Sequence, residues 1–117
     1  MAVSKARVRK LALALENTTE VLHVDRPAFR TPRKIFATLG PTEDAANLMF
    51  DQATQEFFCE QAPDALAPHP SGWGRMGATR CDLKRVDEAT LLSALKAARA
   101  LAAPKPKKPP KSKNRKR

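Results

Sequence analysis

Pro27-Ala28-Phe29-Arg30-Thr31, then Arg33-Lys34-Ile35-Phe36-Ala37-Thr38-Leu39, then, past a Gly40-Pro41 break, Ala45-Ala46-Asn47-Leu48-Met49-Phe50: three short apolar runs make up the centre of the chain. Turn-formers divide them, so the pattern predicts consecutive antiparallel strands. Side chains alternate across a strand, which puts Ile35, Ala37 and Leu39 on one face and Lys34, Phe36 and Thr38 on the other. In the last run Ala46, Leu48 and Phe50 share a face, with Asn47 and Met49 opposite. One face calls for a helical cover, and the other is mixed and partly basic. Pro32 has no N–H to give a ladder, so Thr31-Pro32-Arg33 is predicted as a hairpin-like break.

Upstream, Val8, Leu11, Ala12 and Leu15 recur at one face of a 3.6-residue period, predicting a helix over 2–16 with Ser4 as N-cap. Glu20 to Val24 is a first strand on the strength of its β-forming valines. Downstream, 51–61 is a second helix capped by Asp51 and ended by Pro63. Ala65-Leu66-Ala67 is a short extended piece, and 68–74 is irregular. Residues 76–83 are a last strand. A third helix begins at the Asp87 N-cap, with Val86 and Leu91 at staple positions and Leu91, Leu95, Ala98 and Ala102 as its buried stripe. Pro104 stops it.

The order is helix, four strands, helix, one or two strands, helix. Short connections imply a mainly antiparallel sheet, and helices gathered on one face give an α+β two-layer sandwich. The 117 residues suffice for one domain with one modest core. The boundaries are 1–103 for the domain and 104–117 for a tail.

Charge is unevenly placed. The net charge is +10, and eight basic residues with no acid lie from Lys105 onward, leaving +2 for residues 1–104. Prolines among those lysines predict a disordered basic tail. A smaller excess lies at Lys5, Arg7, Arg9 and Lys10. Cys59 and Cys81 form no CxxC and predict reduced, part-buried thiols. No apolar run approaches a membrane span, and Leu11 to Leu15, followed by Glu16-Asn17, is no signal peptide, so a cytoplasmic protein is expected.

These residues resemble the MmcQ/YjbR family of small bacterial proteins. The resemblance runs from about Leu11 to Ala103. It is carried by Pro27-Ala28-Phe29-Arg30 feeding Lys34-Ile35-Phe36-Ala37, by Trp73-Gly74-Arg75-Met76-Gly77, and by the last helix ending Leu101-Ala102-Ala103-Pro104. It implies a fold related to the frataxin/CyaY type and DNA binding through a "double-wing" motif. The family commonly has a second aromatic just after the Trp-Gly segment, where this chain has Ala78 and Thr79.

The tail residues Lys105, Lys107, Lys108, Lys111, Lys113, Arg115, Lys116 and Arg117 are suited to neutralising phosphates and releasing counterions, without sequence preference. A solubilising tail is the plain alternative. Within the domain Arg30, Arg33 and Lys34 cluster at one hairpin, and Arg75 and Arg80 flank the last strand, as two wings would require. An ordinary solvated hairpin is the competing reading. Trp73, between two glycines, is suited to stacking on a base, though a lone Trp also serves to cap a core edge. His23 and His69 belong to no ligand-spaced pair, so neither metal nor cofactor is expected. No nucleophile elbow or phosphate loop occurs, and Glu43 and Asp44 are adjacent and so face opposite sides. A frataxin-like iron role would need acids on the first helix, which is basic here. The expectation is a non-enzymatic monomer that binds nucleic acid, DNA ahead of RNA, with low sequence specificity. A protein–protein adaptor with a solubilising tail is the alternative.

Overall fold

The structure, a computed structural model, describes residues 3–23, 26–40 and 44–103. The tail expected to be disordered, Val24 of the first strand and Glu43 lie outside the described residues.

Each helix starts where a side chain satisfies its first free N–H groups. Ser4 accepts from Arg7 N and opens α1 (Lys5–Leu13). Asp51 accepts from Thr54 N and opens α2 (Gln52–Gln61). Asp87 accepts from Thr90 N and opens α3 (Glu88–Ala102). Those hydrogen bonds hold the Asp51 and Asp87 carboxyls below their ordinary range. α1 is shorter than its periodicity suggests, because Asn17 turns the chain at φ 56°, a conformation Asn tolerates well.

The strands are β1 (Thr19–His23), β2 (Arg26–Arg30), β3 (Ile35–Leu39), β4 (Ala45–Met49), β5 (Leu66–Pro68) and β6 (Ala78–Asp82). They form one antiparallel sheet in the order β1-β2-β3-β4-β6-β5. β6 slots between β4 and β5, so the connection through α2 carries β5 to the edge. Met76, expected to begin the last strand, instead ends a 3-10 helix, Gly72–Met76, that starts within the stretch expected to be irregular and is closed by Gly77 at φ 108°. A Cβ at Gly77 would collide with the Phe50 carbonyl, so the chain can reverse there only with glycine.

Register separates the faces. Phe29 pairs with Ala37, Ala37 with Leu48, and Leu48 with Thr79, giving one row of the inner face. Leu39, Ala46, Cys81 and Leu66 give the next. Val8 and Ala12 of α1, Phe58 of α2, and Leu91, Ala94, Leu95, Ala98 and Ala102 of α3 close over them in a single core. The α3 stripe therefore lies as its periodicity predicts, with Val86 and Leu91 both buried. The outer row is Val21, Ala28, Thr38, Asn47, Arg80 and Ala67.

One residue departs from simple alternation. Arg30 pairs with Ile35 but Phe29 with Ala37, so Phe36 is an extra residue in β3. Such a bulge resets which side the neighbouring side chains take. Phe36 is fully buried in the core alongside Ala37 and Leu39. Ile35 instead lines the outer face. This corrects the strict alternation expected for 34–39.

Leu95 is fully buried beneath the sheet, so Leu95→Ala should cost about 2–5 kcal/mol. The check is the urea midpoint, which should fall with an unchanged slope.

Candidate functional site

Helices occupy the inner face, and the outer face carries two adjoining clefts of about 490 and 610 Å³ that share Ile35, Met49 and Trp73. The first continues to Lys34, Leu101, Met76 and Asp51. The second continues to His23, Arg26, Thr38, His69 and Ser71. Small side chains floor this face: Ala28 and Ala45 are buried outside the inner core. Thr38 and Asn47 face each other across β3 and β4, with Asn47 Nδ2 donating to Thr38 Oγ1 at 3.4 Å.

Trp73 is 50% exposed. It does not cap the core; it stands as the wall between the clefts. Its turn is built from several local hydrogen bonds. Ser71 Oγ accepts from Trp73 N at 3.2 Å, and Ser71 N donates to His69 Nδ1 at 3.2 Å. The His69 and Trp73 rings lie 5.5 Å apart at 57°. From α2 the buried Gln55 side chain donates to Gly74 O at 2.9 Å and Ala78 O at 3.0 Å. Gln52 donates to Arg75 O. Gly74 has no room for a Cβ, which would strike the His69 carbonyl. The two glycines around Trp73 thus differ: Gly74 is required by close approach, while Gly72 has open space.

The basic hairpin of residues 31–34 is tied to the end of α3. Thr31 is fully buried, and its hydroxyl donates to Ala102 O at 2.7 Å. The same oxygen accepts from Arg33 N at 3.1 Å and Lys34 N at 3.2 Å. Arg33 Nε reaches Ala103 O at 3.4 Å.

The expected site residues separate into groups. Lys34 and Trp73 meet at the first cleft. Arg33 is exposed on the same hairpin, and Arg75 is exposed in the Trp73 turn. Arg80 is exposed on β6, opposite Asn47 in the outer row. Arg30 is part-buried and folds back on its own hairpin, donating to Thr31 O at 3.0 Å and Pro32 O at 3.3 Å. It lines a separate depression with Leu13, Leu15 and Thr18. Its place is in shaping the turn. The tail lysines and arginines lie outside the described residues.

Sequence reasoning missed Arg26 and His23 as cleft residues, and Ile35 with them. Pairing of His23 with Arg26 across the β1–β2 turn brings the first two together, and the bulge brings the third. Thr38, Asn47 and Met49 were legible on the non-core side from alternation alone.

Three residues of the other basic cluster are engaged by the fold. Arg7 pairs with Glu88 at 2.7 Å, Arg9 with Glu20 at 2.7 Å, and Lys5 donates to Gly40 O at 2.6 Å. Among the described residues no cluster of His, Cys, Asp and Glu could hold a metal, and no helix is long and apolar enough to cross a membrane. Both cysteines are free, and burial pushes both thiols up, that of Cys81 to about 12 with the Asp82 charge adding to it.

A small α+β protein with helices on one sheet face and an open, basic-rimmed cleft on the other is thus defined. The family model described as YjbR matches residues 13–101, and the chain belongs to that family. The crystal structure of Deinococcus radiodurans protein DR2400, assigned a DUF419 domain, is similar in fold. Its TM-score is 0.66 at 17% identity, over 81% of this chain and 75% of that one. No curated protein matches.

Thr31→Val should cost about 1–3 kcal/mol, because Ala102 O and two hairpin N–H groups lose their partner. Amide exchange should quicken in the last turn of α3 and at 33–34, and not in β4 or β6. For Cys81, the folded pKa lies above the ordinary value of 9.0. As pH rises past 9 the unfolded chain loses this proton first, so stability falls. Between about pH 8 and 10 the wild type should lose more stability than Cys81→Ala, read from urea midpoints.

Proposed function

We propose that this protein binds nucleic acid, DNA ahead of RNA, by phosphate contacts with little sequence reading and without enzymatic chemistry, as a monomer in the bacterial cytoplasm. The observation that carries the reading is the tie between Thr31 and Ala102. It holds the end of α3 beside Arg33 and Lys34, and the basic residues 105–117 follow that end in the sequence. Neither Arg33 nor Lys34 has an ion pair among the described residues, in contrast to Arg7 and Arg9. Uncompensated cations on a projecting hairpin attract polyanions and position them. The Trp73 turn with Arg75, followed by Arg80, is a second basic projection, as the double-wing resemblance expects. A protein partner on the same face is the second reading, favoured by the apolar exposure of Met76, at 77%, next to Trp73.

Deleting residues 105–117 should weaken DNA binding alike on all sequences. About half of the eight charges are expected to reach phosphates at once, so the log–log salt slope should fall by roughly 3.6 on duplex DNA, at about 0.9 per contact. Adding Arg33→Glu and Lys34→Glu should remove part of the remaining affinity. Equal binding and equal slope after deletion would refute the tail's part. Loss of all binding on deletion, with no effect of the hairpin changes in the full chain, would take the domain out of the reading and favour the adaptor.

A further inference from the structure

We propose that the two outer-face clefts form one groove for single-stranded nucleic acid, with unpaired bases stacked at Trp73. This rests on the nucleic-acid reading and adds to it a strand preference and a site. The two clefts share the wall made by Ile35, Met49 and Trp73. One reaches Lys34 and Leu101, near the end of α3; the other reaches His23 and Arg26. A track with cations at both ends and a flat aromatic in its middle matches the chemistry of a strand, whose charges run along its length and whose base faces stack. Among the described residues Asp51 is the acid that lines the first cleft, and none lines the second.

Pairing decides which nucleic acid fits. Bases inside a duplex are stacked on each other and present only their edges, so an aromatic ring reaches a base face only on an unpaired strand. Each cleft has the volume of a small-molecule pocket, in the range of about 300–1,000 Å³, which suits one nucleotide and not a helix. The second cleft also offers polar side chains to a base edge, the Thr38 hydroxyl and Ser71.

Trp73 is the chain's one tryptophan and there is no tyrosine, so intrinsic emission reports this site. The full chain is titrated with a short oligothymidylate, with the duplex it makes with oligoadenylate, and with thymidine monophosphate. Binding is read by anisotropy of labelled DNA, and the site by Trp73 emission with unlabelled DNA. The single strand should quench Trp73 saturably at the concentration where anisotropy rises, and the duplex should bind without quenching. Trp73→Ala should narrow the single-strand preference by about 5- to 150-fold, the worth of one base–aromatic stack. Trp73→Phe should keep most of that preference. Single-strand binding without quenching, an unchanged preference in Trp73→Ala, or quenching by the mononucleotide alone would overturn the groove while the phosphate reading stands. No anisotropy change with either DNA would overturn both.

Discussion

The Thr31 hydroxyl donates to Ala102 O at 2.7 Å in a place without solvent, while two hairpin amides donate to it. One side chain thereby satisfies a carbonyl left over at the end of α3 and the N–H groups of a turn that Pro32 keeps out of the ladder. The consequence is geometric. The last helical turn cannot drift from the β2–β3 hairpin, so Leu101 arrives at the outer cleft although its helix belongs to the inner layer. Everything proposed for the outer face starts from that corner.

The sheet is asymmetric by composition as well as by cover. Its inner rows carry Phe29, Leu48, Leu39 and Leu66, which α1, α2 and α3 need for a core. Its outer floor carries Ala28, Ala45, Thr38 and Asn47, all buried although α1, α2 and α3 pack on the other face. Small floor residues beneath a raised wall make a hollow, and the wall is the Trp73 turn held by Gln55 from α2. Helix α2 thus contributes Phe58, stacked on Phe50 at 5.2 Å, to one layer and a clamp to the other. Thr38 and Asn47 pair across this floor, where a buried polar pair is expensive when only partly satisfied.

Much of this was legible in the sequence. Ser4, Asp51 and Asp87 announce their helices because capping is a local interaction, and the α3 stripe follows from period alone. The YjbR relationship was carried by residues spread from the β2–β3 hairpin to the end of α3. Two things were not legible for physical reasons. A bulge is decided by pairing between strands, so Phe36 and Ile35 exchanged faces without any signal in their own run. The 3-10 helix depends on close approach of Gly74 to His69 and of Gly77 to Phe50, contacts made across the fold. The site followed the same division: Arg33, Lys34 and Trp73 were expected, while His23 and Arg26 entered by sheet pairing.

Charge placement supplies the last link. The N-terminal cations are close to acids brought by other elements, Arg7 to Glu88 of α3 and Arg9 to Glu20 of β1. Exposed pairs of this kind add little stability, but they offset two of the four cations on that helix. Arg85 is likewise matched by Asp82 at 3.5 Å. Arg33 and Lys34 have no such pair among the described residues, and from Lys105 onward the sequence has eight cations and no acid. In the proposed binding, phosphate attraction would be long-ranged and screened by salt, whereas stacking on Trp73 would be short-ranged and nearly indifferent to it. The two contributions therefore respond to different variables, ionic strength for one and base pairing for the other. On the proposed reading a strand gathered by the first would be delivered to the rim of the second, because Lys34 belongs to both the hairpin and the first cleft.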